Sequence, residues 1–241
     1  MPGAGPMMRQ LILNLDHCAA PTLAGFVTGR NAEAVALLRT LQGDHAAARV
    51  PGSDQRCVYL WGVPGAGKSH LLRALGSQPG SRYLDAALAA TTPAALAHDP
   101  QVRLYLLDNC ERLDAAAQIA AFALFNQVRE HAGVLVAASA VPPALLQVRE
   151  DLRTRLAWGL TYQLHELSDD EKIYALTATA EARALRLSAG VLPYLITHFR
   201  RDMRSLTAML DALDRYSLET QRPITLPLLR SLLQQQGEPT A

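Results

Sequence analysis

The sequence predicts an α/β protein, a core on a parallel five-stranded sheet followed by a small all-α domain. Three observations predict it. A Gly-rich phosphate-loop motif, Gly62-Val63-Pro64-Gly65-Ala66-Gly67-Lys68-Ser69, lies between a short apolar run and a helical pattern. Short apolar runs then alternate with helical patterns as far as Leu164, the order expected of strands joined by helices in a sheet covered on both faces. After Leu167 only helical patterns remain.

Residues 1–22 open with a Gly/Pro stretch and carry a short apolar segment, Leu11-Ile12-Leu13-Asn14-Leu15, that is not expected to continue past Pro21; they are expected to form a tail ahead of the core. Ala34, Leu37, Leu38 and Leu41 fall at helical spacing and predict a helix over residues 31–42, with 43–55 reading as loop. Cys57–Trp61 is a short apolar run ending in the Gly-rich turn, as a buried parallel strand does. Ser81–Leu84, Leu104–Leu107, Val134–Ala137 and Leu160–Leu164 are the other four strands, and Ala115–His131 is among the helices between them. Ser168-Asp169-Asp170-Glu171 has the spacing of a capping box and opens a helix to about Arg186. Three more helices are expected over Ser188–Phe199, Asp202–Glu219 and Leu226–Gln235, so the boundaries fall at a tail 1–22, a core 23–166 and a helical domain 167–241.

A chain of 241 residues has room for one α/β core plus a helical appendage and not for two full-sized domains. Hydrophobic residues at 49% against 19% charged exclude a disordered chain. Lys and Arg (23) nearly balance Asp and Glu (22), which argues against direct sequence-specific DNA binding. Cys18, Cys57 and Cys110 form no C-x-x-C pair and have no nearby His set, as expected of a reducing cytoplasm without structural zinc or disulfides. No apolar run approaches the roughly 18 residues of a membrane span, so no membrane partner is expected.

The chemistry begins at the phosphate loop. A match to G-x-x-x-x-G-K-[ST] arises by chance in a chain this long on the order of one time in a hundred. Its glycines, with Ala66, let backbone N–H groups close round phosphates at the positive end of the helix that His70 continues. Lys68 is placed to meet the β- and γ-phosphates and Ser69 to ligate Mg²⁺, so the cofactor expected is ADP or ATP with Mg²⁺. Leu104-Tyr105-Leu106-Leu107-Asp108 is an apolar strand ending in a carboxylate, which fits a second Mg²⁺ contact through water. Asn109 follows, and an amide takes no proton from an attacking water. Losing a positioned general base costs roughly 10²- to 10⁴-fold in rate. Restoring a carboxylate at 109 is expected to raise turnover, and Glu111 is the alternative base. Ser139 ends the next strand, either contacting the γ-phosphate or the lytic water or satisfying the strand-to-loop turn.

The phosphate loop, the Leu-Leu-Asp strand, the segment Arg153-Thr154-Arg155-Leu156-Ala157-Trp158-Gly159-Leu160 and the run Arg201-Asp202-Met203-Arg204-Ser205-Leu206 together resemble the AAA+ core of the DnaA family of replication initiators, over roughly residues 20–235. Within that family, Asn109 in place of a second acid, and a chain expected to stop after the helical lid without a DNA-reading domain, are similar to the regulatory inactivators of DnaA. The resemblance implies that Arg155 is an arginine finger acting in a neighbouring subunit's ATP site, where such a group is worth roughly 10³ to 10⁵ in rate. It implies that Arg204 is the lid arginine contacting nucleotide; for Arg153, pairing with Glu150 and Asp151 is the competing role. It also implies a clamp-binding peptide at Gln10-Leu11-Ile12-Leu13-Asn14-Leu15. An extended chain there presents Leu11, Leu13 and Leu15 on one side to an apolar groove, with the Gln10 amide in a polar pocket; a first strand of the protein's own sheet shows the same alternation. The partners so implied are ATP-bound DnaA and the β sliding clamp, with a homo-oligomer left open. The rival readings are an autonomous ATPase of the DnaC-like helicase-loader type and a truncated DNA-binding initiator.

Overall fold

The computed structural model describes residues 20–88 and 92–235. They cluster into one compact unit over Ala20–Leu167 and a second from Ser168 onward. In the first, α1 (Ala32–Ala46) precedes β1 (Cys57–Trp61), α2 (Lys68–Gly76), β2 (Ser81–Asp85), β3 (Leu104–Asp108), α3 (Ala115–Glu130), β4 (Val134–Ser139), α4 (Glu150–Leu156) and β5 (Leu160–Gln163). The helix expected to end at Gln42 runs on to Ala46, because Gly43 is tolerated within it and the Ala47 amide closes the last turn on the Gly43 carbonyl.

The five strands are all parallel, as the sequence predicts, and lie in the order β2-β3-β4-β1-β5. Side chains alternate across each strand. One face carries Val58, Leu60, Leu104, Leu106 and Val136 against Leu38, Leu41, Leu71, Leu72 and Leu75 of α1 and α2. The other carries Tyr59, Tyr105, Leu107, Leu135 and Ala137 against Leu124, Phe125, Val128, Leu152 and Leu156 of α3 and α4. Helices following the neighbouring strands β1 and β4 therefore lie on opposite faces, and the divergence opens a crevice beyond their carboxyl ends, where ligands bind in open α/β sheets. Strand register brings Trp61 beside Ser139, and Asp85 beside Asp108, at that edge. Asn31 clamps the start of α1 to the chain leaving β5, donating to the His165 carbonyl at 2.9 Å and accepting from its amide at 2.8 Å.

The second unit contains α5 (Asp169–Ala182), α6 (Val191–His198), α7 (Met203–Thr220) and α8 (Leu226–Gln235) around a core that includes Leu176, Leu195, Leu206, Met209, Leu213, Leu229 and Leu232. The capping box at α5 forms in both directions between Ser168 and Glu171. The helix stops at Ala182, short of Arg186, because Ala184 takes a left-handed backbone (φ 56°) while the Leu185 amide returns to the Ala180 carbonyl. Asp202 caps α7 by accepting from the Ser205 amide. Among the described residues no helix is long and apolar enough to cross a membrane.

Candidate functional site

The phosphate loop leaves β1 where the Gly62 amide donates to the Ser139 carbonyl at 3.3 Å, so the loop starts from the β1–β4 edge. Gly65 and Gly67 hold φ values of +89° and +93°, left-handed conformations that a side chain resists. Gly67 is the N-cap of α2 and gives it no side-chain cap, which leaves amide donors of the first turn for another acceptor. Ala66 is buried beneath the loop. Lys68 is buried too, and its ammonium donates back to the carbonyls of Gly62 (2.6 Å) and Val63 (3.0 Å). Burial pushes its pKa down, and the carboxylates of Asp108 and Glu111 oppose that. The Ser69 hydroxyl, in the first turn of α2, has no hydrogen-bond partner among the described residues. His70 bonds through Nε2 to the Thr22 carbonyl at 3.0 Å and tilts against Phe26, whose ring lies directly over Gly67.

Asp108 is fully buried at the end of β3. Its Oδ2 accepts from the Tyr83 phenol at 2.8 Å and its Oδ1 from the Asn109 amide at 3.0 Å. Burial first, and the Asp108 carboxylate second, raise the Tyr83 pKa and keep that phenol a donor. Asn109 sits in a left-handed conformation (φ 56°, ψ 46°), and its side-chain amide donates to Asp85 Oδ1 at 2.6 Å. Asp85 is held further by the Ala87 amide at 3.0 Å and by Arg73 at 3.6 Å. This redirects the expectation for position 109, since a carboxylate in the same orientation would meet the Asp85 carboxylate instead of an attacking water. Glu111, in the short 3-10 turn after β3, has one carboxylate oxygen buried without a hydrogen-bond partner among the described residues, and its charge acts on Lys68. Ser139 is fully buried; its Oγ accepts from the Val141 amide at 3.3 Å and its hydroxyl donates to the Tyr59 phenol, whose pKa burial raises by more than that bond lowers it, so the turn and the neighbouring strand already engage this side chain.

These groups fit an Mg²⁺-nucleotide. Among the described residues the cradle offers amides, an ammonium held only by loop carbonyls, a free hydroxyl and a buried carboxylate, and it contains an orphaned buried oxygen on Glu111 that a cation or water would satisfy. Phosphate oxygens would complete the hard-oxygen set around a cation held by Ser69 and Asp108; among the described residues no cluster of three or more His, Cys, Asp or Glu side chains could hold a metal by itself.

On α4, away from the loop, Arg155 is half-buried, with its guanidinium 5.9 Å from the Phe122 ring centre and 4.9 Å from that of Trp158. It has no ion pair or hydrogen bond from its side chain among the described residues. Asp151, one of the two expected partners of Arg153, is taken by Arg149, which bonds both its oxygens at 3.2 and 2.7 Å.

Known proteins share this architecture. Residues 169–233 match the family described as "Hda, lid domain". An uncharacterized protein of Haemophilus influenzae is 32% identical over 240 residues, covering 94% of this chain and 99% of its own length. The chain belongs to the Hda family of DnaA-related AAA+ proteins. Domain III of the Thermotoga maritima replication initiation protein DnaA superposes with a TM-score of 0.67 at 19% identity, over 88% of this chain and 95% of that one. AMPPCP-bound DnaA from Aquifex aeolicus gives 0.64 at 20% identity, over 83% of this chain and 66% of that one; at these identities the likeness concerns the fold.

In this Hda-family lid, Arg204 lies exposed in the first turn of α7. Gln10, Leu11, Leu13 and Leu15 lie outside the described residues. Sequence reasoning missed Tyr83, Asp85, Phe26 and Trp158. For Asp85 a signal existed, because Ser81–Asp85 ends in an acid just as Leu104–Asp108 does, and parallel pairing sets the two side by side. For Trp158 the signal was its place three residues after Arg155, a helical-neighbour spacing; for Tyr83 and Phe26 no local pattern marks the contact.

Proposed function

We propose that this protein is a nucleotide-holding regulator of replication initiation that acts on another AAA+ protein. It docks on ATP-bound DnaA and places Arg155 against the γ-phosphoryl group of DnaA's ATP, stimulating hydrolysis and so switching initiation off. The β sliding clamp, held by the peptide at Gln10, Leu11, Leu13 and Leu15, brings the two proteins together on DNA. Membership of the Hda family supports the link to DnaA. The observation that carries the reading is Arg155, a guanidinium that is half-buried yet bonded to no carboxylate among the described residues, as suits a group meant for charge on a partner.

The chain's own ADP or ATP is held, not turned over. The amides of Gly65, Ala66, Gly67 and His70 and the Lys68 ammonium would hold its phosphates, Ser69 and Asp108 its Mg²⁺, with Gly62 shaping the loop, Ser139 contacting it from the sheet edge by exchanging its bond to Tyr59, and Arg204 contacting it from the lid. When bound, the nucleotide supplies a polyanion that replaces the loop carbonyls as the partner of Lys68. Tyr83 fixes the Asp108 carboxylate, and Asn109, with its amide given to Asp85, neither accepts a proton nor orients water.

The test is single-turnover hydrolysis of labelled ATP prebound to DnaA, with DNA-loaded clamp and this chain in excess. Arg155→Ala should lower the stimulated rate by roughly 10³-fold or more. Arg155→Lys should be nearly as inactive, because it keeps the charge and loses the planar fork. Stimulation by both variants at the unmodified rate would overturn the proposal. The unpartnered Glu111 oxygen favours one second reading, an autonomous ATPase of the helicase-loader type. Steady-state hydrolysis by the isolated chain on the order of 1 to 10 per second, lost in Glu111→Gln, would establish it instead.

A further inference from the structure

Trp158 is 57% exposed, so burial of its own surface does not explain its place. What fixes it is the backbone. A Cβ at Gly159 would lie 1.8 Å from the Cys57 carbonyl oxygen, so the chain at that point is pressed flat against β1 and admits only glycine. One residue later Leu160 begins β5, pairing beside Val58. On the other side the Trp158 amide donates to the Arg155 carbonyl at 3.2 Å. The turn from Arg155 to Gly159 is therefore tied at both ends, and the indole is set by the sheet itself. Two guanidiniums lie against it, that of Arg155 at 4.9 Å and that of Arg129, from α3, at 4.3 Å.

A carboxylate would also fix Arg155, but it would occupy N–H donors and neutralise the charge that makes the residue useful. An aromatic face attracts the cation through the ring quadrupole and leaves the in-plane donors unspent. From this geometry, and resting on the finger role of Arg155 proposed above, we infer that Trp158 is the positioning residue of that finger: it holds the guanidinium against the α3–α4 surface, donors uncommitted, ready for the phosphate oxygens of the nucleotide bound by the partner. Ordering the long side chain before docking removes a cost that would otherwise fall on the chemical step.

A purely packing role and a positioning role part company in the substitutions. Trp158→Leu keeps apolar bulk and loses the aromatic face, whereas Trp158→Phe keeps a face. In the single-turnover assay on DnaA-bound ATP, Trp158→Leu should lower the saturating rate by roughly 3- to 30-fold, the worth of one cation–π contact. The concentration of this chain giving half the maximal rate should stay within about two-fold, and Trp158→Phe should recover most of the loss. The melting temperature should hold for both variants, since the indole is largely outside the core. Equal rates for the Leu and Phe variants, or an effect confined to the half-saturating concentration, would overturn the inference and make Trp158 a docking contact. Arg155→Ala in the same assay separates the two levels. If it is inactive while Trp158→Leu runs at the unmodified rate, the positioning role alone fails; if Arg155→Ala is itself unimpaired, the function proposed for the chain fails first.

Discussion

The crevice around the phosphate loop and the α3–α4 surface carrying Arg155 treat their charges in opposite ways. In the crevice most charges are committed within the fold. Lys68 is folded onto Gly62 and Val63, Asp108 is held by Tyr83 and by the Asn109 amide, and Asn109 is tied to Asp85. At Arg155 the fold holds the cation with aromatic rings and, among the described residues, gives its guanidinium donors no acceptor. A protein that keeps a nucleotide needs the first arrangement, in which ligand groups take over partners already in place. One that acts on another protein's nucleotide needs the second, because a donor already bonded must break that bond before it can serve a transition state.

The sharpest way to break this contrast is Lys68→Ala, which removes the ammonium and leaves the two loop carbonyls. ADP affinity measured by calorimetry should fall by at least about 100-fold, the loss of a charge-assisted contact in a buried site. The Arg155→Ala variant in the same titration should bind ADP as the unmodified protein does. Comparable losses in both would mean that the two regions are not separate.

A smaller effect is expected at Asn109. Asn109→Asp is nearly isosteric and tolerates the left-handed backbone, but it exchanges a 2.6 Å donor for a carboxylate facing Asp85. The variant should lose about 1 to 3 kcal/mol of stability and gain no turnover; the denaturation midpoint, with phosphate release followed in parallel, checks both. A marked rise in hydrolysis would show that residue 109 can leave Asp85 and serve as a base.

The smallest change is Tyr83→Phe, which deletes one phenol and leaves Asp108 Oδ2 without its 2.8 Å donor. A cost of about 1 to 1.5 kcal/mol follows, or a melting point lower by a few degrees. Excess Mg²⁺-nucleotide should recover part of it if Asp108 serves the cation, and excess nucleotide with a chelator should recover less. Equal recovery in both would place Asp108 outside the metal contact.

Much of the core was legible because its signals are short and contiguous. Eight neighbouring residues make the phosphate loop, and five make the strand ending at Asp108. Both depend on local geometry, a left-handed turn into a helix and an apolar run ending in a charge, so the order of letters suffices. The helical lid announced itself through periodicity and through the Ser168–Glu171 box. Helix ends were less legible. Gly43 reads as a breaker, yet α1 runs through it, because the neighbouring Leu38 and Leu41 are buried against the sheet and packing outweighs a glycine's modest helix penalty.

By itself, then, the sequence determined the element types, the parallel sheet and Asp108 as the carboxylate that ends its strand. Tertiary structure alone decided who meets whom. Asp85 and Tyr83 reach Asn109 and Asp108 only because β2 and β3 pair in register, across separations of 24 and 25 residues. Phe122 and Arg129 reach the Arg155–Trp158 corner only because α3 packs beside α4. Periodicity encodes which face a residue occupies, since that repeats along the chain. It does not encode the partner brought there by a crossover, because that contact is set by how layers stack, and stacking has no local signature.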